Sequence, residues 1–148
     1  MPIRLQGGFS SRKENETYEI NIYDSEYSGS VIDFDLDRDG IIEVYDSEDK
    51  GRNKAIITSS MEIDMLVKNE SIETFIEDVV NAPEGRFLLE VKKNSGKYWY
   101  GYVLPDQFTL QDRRNDAHRV LRLKATDGIA RLKDVDYNNS GTAYTAGS

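Results

Sequence analysis

A chain of 148 residues, 38% apolar and 31% charged, is long enough for one domain with a buried core, and its apolar residues come in short runs spread along its length. Its 27 acidic residues outnumber the 19 basic ones for a net charge of −8, which argues against direct nucleic-acid binding through the phosphate backbone. The lack of cysteine excludes disulfides, thiolate nucleophiles and Cys-ligated zinc or iron–sulfur sites, and no window approaches the roughly 18 apolar residues of a membrane span.

The opening residues 1–16 contain no apolar segment of signal-peptide length, so the chain is expected to fold in a cytoplasm. They read as a flexible or partly extended N-terminal arm, followed by a single β-rich domain over 17–137. From Thr17, Tyr18, Ile20 and Ile22 alternate with Glu19, Asn21 and Tyr23 in the two-residue period of a half-buried strand. After the turn-forming stretch Tyr27 to Ser30, Ile32, Phe34 and Leu36 alternate with Asp33, Asp35 and Asp37. Here the spacing also matches an EF-hand calcium loop, with Asp35, Asp37 and Asp39 at the ligand positions, Gly40 at the sharp turn and Asp46 at the end. An EF-hand needs a helix on each side, and neither flank has a 3.6-residue apolar pattern. The segment therefore reads as strand, turn at Arg38–Gly40, strand, with no metal bound.

Met61, Ile63, Met65 and Val67 mark a further strand. The period then changes: Ile72, Phe75, Ile76, Val79 and Val80 follow helical spacing, Ser71 stands at the cap and Pro83 lies beyond the end, which predicts a helix over Ser71–Ala82. "RFLLEVKK" and "KYWYGYVLP" are two strands joined by a short link, "NSG", of hairpin length. In the second of these, Tyr98, Tyr100, Tyr102 and Leu104 fall on one face and Trp99 and Val103 on the other. More apolar area than a one-sided sheet needs suggests that one face meets the core and the other a second subunit. Arg113 and Arg114 follow in a polar connection and fit the rim of such a contact. The candidate interface is thus Tyr98, Trp99, Tyr100, Tyr102, Arg113 and Arg114. "RVLRLKA" is another strand, "TDGIARLKDVDY" a short capped helix, and residues 138–148 a polar tail or the start of a further region.

These elements predict an α+β fold, predominantly antiparallel β-sheet with one main helix packed on it. His118 is the only histidine, which rules out a His-pair metal site, and no nucleophile-elbow, zincin or phosphate-loop motif occurs. No catalytic residue or cofactor is expected, and the chain does not read as an enzyme.

Three features carry a resemblance: the strand end with Trp99, Gly101 and Pro105, the segment Ala125 to Asp134 ("ATDGIARLKD"), and Asp136 to Tyr144 ("DYNNSGTAY"). In these the chain resembles a family of phage and prophage tail proteins, seen especially in phages of Bacteroidetes and described as baseplate hub-like. The likeness runs from about Thr17 onward and is most specific in the last third. Members of that family continue well past the Tyr144 region, so the chain resembles their amino-terminal domain. The resemblance implies a structural subunit of a tail hub or baseplate, assembled in the host cytoplasm and residing in the virion tail. Its partners would be copies of itself, as a trimer or hexamer, and other tail proteins. The alternative expectation is a calcium- or glycan-binding module on a virion or cell surface.

Overall fold

The computed structural model describes residues 1–45, 58–112 and 118–128, together with the backbone of 138–139 and 142–143; the side chains of Arg38, Asp39, Val44 and Tyr45 lie outside the description. In chain order the elements are β1 (Ile3–Ser11), β2 (Glu16–Asp24), β3 (Ile32–Asp33), β4 (Leu36–Tyr45), β5 (Ser59–Val67), α1 (Glu70–Val80), β6 (Phe87–Lys93), β7 (Gly96–Val103), a 3₁₀ turn (Pro105–Gln107), β8 (Thr109–Gln111), β9 (Arg119–Thr126), and a small hairpin of β10 (Asn138–Asn139) and β11 (Thr142–Ala143). One sheet runs in the order β3-β1-β2-β6-β7-β9-β5-β4, with β8 on β9. All of its pairings are antiparallel except β1 with β3, so the fold is α+β and dominated by antiparallel sheet, as the alternation implied.

The sheet curls so that one face becomes the core. Ile20 and Ile22 on β2 face Val91 and Leu89 on β6, and Met61, Ile63 and Met65 on β5 face Ala125, Leu123 and Leu121 on β9; all are buried. The two-residue link between β6 and β7 places Asn94 and Ser95 at φ 49° and 69°. Positive φ at both positions gives a turn whose twist matches the strands it joins. At one end of the curl, α1 buries Ile72, Phe75 and Val79, with the Phe75 ring edge-on to Phe87 at 5.3 Å. Its cap is Asn69, two residues before the expected Ser71: the Asn69 Oδ1 accepts the Ile72 N–H at 3.0 Å, and the helix runs Glu70–Val80 where Ser71–Ala82 was expected.

Residues 1–16 are not an arm outside the domain. Ile3–Ser11 pairs with β2 along its length, and Leu5 is fully buried opposite Ile22. The strand was hard to read because Gly7 and Ser11, on the same side as Leu5 and Phe9, supply no apolar signal. The expected turn at Arg38–Gly40 is also absent. β4 runs through it as one strand against β5, and the register slips between Leu36 and Ile41, with Gly40 at φ 22°. The acidic stretch is therefore bulged, not folded back, because its partner is β5 and not its own continuation. Just before it the chain bridges the two ends of the sheet. Phe34 donates its N–H to the Gln6 carbonyl at 3.0 Å, and the Asp35 carbonyl accepts from Leu66 at 2.9 Å.

A bulge between Ile3 and Leu5 turns Arg4 toward the helix end of the core, where it is 3% exposed. Its guanidinium donates to Asp24 at 2.8 Å, pairs with Asp78 of α1 at 2.6 Å, and lies over the rings of Tyr27 and Phe75. Asp24, fully buried, also accepts two hydrogen bonds from Arg86, at 2.9 and 3.1 Å, and the Glu26 N–H at 3.0 Å. Burial alone would raise the Asp24 carboxyl, but the Arg86 bonds, with those from Glu26 and Arg4, outweigh it and hold its pKa below the ordinary aspartate value. This network ties β1, β2, α1 and the approach to β6 together.

Candidate functional site

The aromatic strand β7 lies between β6 and β9, well inside the sheet, and its side chains divide between two surfaces. Trp99 and Val103 point into the core and are 7% and 1% exposed. The Trp99 Nε1 donates to Ser59 Oγ at 2.9 Å, and Ser59 in turn donates its hydroxyl and backbone N–H to Asp127. Trp99 is therefore removed from the candidate interface: its own domain already covers it. Gly101 serves the same packing, since a Cβ there would collide with the Trp99 ring and the Thr126 carbonyl. Only glycine lets the indole lie across that position while β9 approaches.

Tyr100 and Tyr102 hold the opposite, outer face. Their rings lie 6.3 Å apart, Tyr100 is 49% exposed, and the hydrogen bond between their hydroxyls, with the mutual charge repulsion of the ionised forms, raises the Tyr100 pKa. Beside them runs a cross-strand polar ladder. Asn21 is fully buried and donates to Glu19 at 2.8 Å, and Tyr23 donates to Glu90 at 2.9 Å. Desolvation, and then that bond to Glu90, push the Tyr23 hydroxyl pKa up; the Asn21 bond and the nearby Lys92 lower the pKa of Glu19. The tyrosine pair thus sits beside a hydrogen-bonded surface.

Tyr98 does not belong to that row. The register slips where Val91 pairs with Trp99 but Lys92 pairs with Lys97, so Tyr98 is the extra residue of a bulge and strict alternation fails at it. Its ring meets Tyr18 edge-on at 6.2 Å, and its hydroxyl donates to Glu43 at 2.9 Å. Phe9 stacks on Tyr18 at 4.8 Å with the rings 9° from parallel. These groups wall a hollow of about 280 Å³ at the end of the curl opposite α1, floored by Met61, Val91 and Ile41. The Lys93 ammonium lies 5.8 Å from both tyrosine ring centroids and pairs with Glu16 at 2.9 Å. That hydrogen bond raises the Lys93 pKa and lowers that of Glu16. Sequence reasoning missed Phe9, Tyr18 and Glu43 as a group because they come from three strands that only register brings together.

Arg113 and Arg114 lie outside the described residues, as does most of the segment expected as a short helix after Thr126. Of the acidic series, Asp35 pairs with Lys68 at 2.6 Å and the Asp39 side chain is outside the description. Among the described residues no group of three or more His, Cys, Asp or Glu is placed to hold a metal ion, and no helix is long and apolar enough to cross a membrane. Comparison with protein-family models, with curated proteins and with solved structures finds no match to this chain.

Proposed function

We propose that this chain is a structural subunit of a phage tail, a hub or baseplate component that works by assembling with copies of itself, as a trimer or hexamer, and with neighbouring tail proteins. The observation that carries the reading is the Tyr100–Tyr102 pair: two aromatic side chains held on the outer face of an interior strand, with Tyr100 half exposed. Rigid, partly exposed tyrosines supply contact area at small entropic cost and are enriched where proteins meet. The sequence resemblance around Trp99–Pro105 and Ala125–Tyr144 supports the same reading, in which the subunit is assembled in the host cytoplasm and resides in the virion tail.

Sedimentation of the purified chain tests it. A discrete trimer or hexamer, shifted toward monomer by Tyr100→Ala with Tyr102→Ala while circular dichroism stays unchanged, is the expected result. A monomer whose melting temperature rises with calcium would replace this reading with that of a calcium-binding module.

A further inference from the structure

Six successive antiparallel pairings, β1-β2-β6-β7-β9-β5-β4, bring β4 back to the direction of β1; β4 ends the sheet on one side, and on the other β1 is followed only by the two-residue β3. Near Gln6 and Asp35 the bridge through Ile32–Leu36 closes the gap between them. Beyond it, among the described residues, Gly8–Ser11 pairs only with β2 and β4 only with β5. Because the Gln6 carbonyl faces the bridge, period-two alternation turns the peptide groups of Gly8 and Ser10 toward the same open seam. Two hollows, of about 280 and 460 Å³, lie along it, and both are lined by Phe9 and Ile41. Leu36 adds apolar lining, while Asp35, Asp37 and Glu43 place carboxylates along the β4 side.

We propose that this seam receives an extended segment of a partner protein in which apolar and basic residues alternate. The segment would pair its backbone with the free edge of β1, set its apolar side chains against Phe9, Leu36 and Ile41, and direct its Lys or Arg side chains to the acidic β4 side. Charge complementarity selects this occupant: Lys68 already pairs with Asp35, but Glu43 is bonded by the neutral Tyr98 hydroxyl and keeps its charge, and a chain of net charge −8 repels an acidic strand. That the partner is a protein rests on the assembly reading above.

The probe is a blocked Lys-Val-Lys-Val-Lys-Val peptide, compared with Lys-Lys-Lys-Val-Val-Val, with the Glu-for-Lys version, and with the first peptide N-methylated at alternate residues. Nuclear magnetic resonance titration of the full chain should show saturable binding of the first peptide alone and slowed exchange of the Gly8 and Ser10 amides. Ser10→Pro removes a seam-facing N–H that, among the described residues, bonds to no neighbouring strand, a change that edge strands tolerate, and should weaken binding by at least about tenfold. The N-methylated peptide makes the same test without altering the protein. Equal binding by the blocked-order or N-methylated peptide, or no saturation at millimolar concentration, overturns the proposal. So does displacement of the peptide by a neutral oligosaccharide, which would make the hollow a glycan site. Self-association abolished by Ser10→Pro would make the occupant a second copy and also overturn it. Sedimentation of the same samples separates the two readings: an oligomer that ignores the peptide refutes the seam alone, and a monomer that binds it refutes the oligomeric subunit alone.

Discussion

Replacing Asp24 with Asn keeps the shape of the side chain and removes the one charge that both Arg4 and Arg86 address. In the wild type Asp24 accepts three hydrogen bonds from the two guanidinium groups and one from a backbone N–H, all between 2.8 and 3.1 Å. After the change Arg4 stays buried, and among the described residues its one remaining ion-pair partner is Asp78, whose side chain is 39% exposed. Breaking a buried pair by removing one partner costs about 3–5 kcal/mol. Against a total stability of about 5–15 kcal/mol for a domain, that is a large fraction, and for a chain of this size it corresponds to a fall in melting temperature of about 6–20 °C. Urea denaturation of both proteins at pH 7 measures the difference. The same experiment on acidification adds a sign. The Asp24 pKa is lowered in the folded state, so on acidification the unfolded chain takes up the proton first. The stabilisation is therefore complete above the unfolded aspartate pKa and is lost as pH falls through the folded one. The wild type should lose stability over that window faster than Asp24→Asn, and the two should converge. A difference below about 1 kcal/mol at pH 7, or one that does not shrink in acid, would refute the claim that this network holds the helix end of the core together.

Phe75→Ala should cost about 3–5 kcal/mol in denaturant unfolding, since it empties a fully buried position against Phe87; an effect under about 1 kcal/mol would mean that the end of the curl is loosely filled. Gly101→Ala should destabilise by at least about 1–3 kcal/mol through collision with Trp99 and Thr126, with a shift in tryptophan fluorescence as the independent readout. Trp99→Phe keeps an aromatic in the core but loses the bond to Ser59, so it should cost more than about 0.5 kcal/mol and leave association unchanged. A change in sedimentation without a change in stability would return Trp99 to the interface.

Alternation alone identified most of the core. Ile20, Ile22, Phe34, Met61, Ile63, Met65 and Val67 are buried where the two-residue period put them, and Ile72, Phe75 and Val79 where the helical period did. These patterns are legible because one face of each element must leave water, whatever it packs against. What alternation cannot contain is the register between strands, since pairing partners lie far apart in the chain. Three slips in that register decided the chemistry: one turned Arg4 inward to Asp24, one carried the acidic stretch Asp37–Gly40 through as a bulge, and one moved Tyr98 from the tyrosine row to the hollow with Tyr18 and Glu43. The burial of Trp99 was settled at the same level, because whether an aromatic face meets its own sheet or another molecule depends on how far the sheet curls, and the curl is a property of all the pairings together.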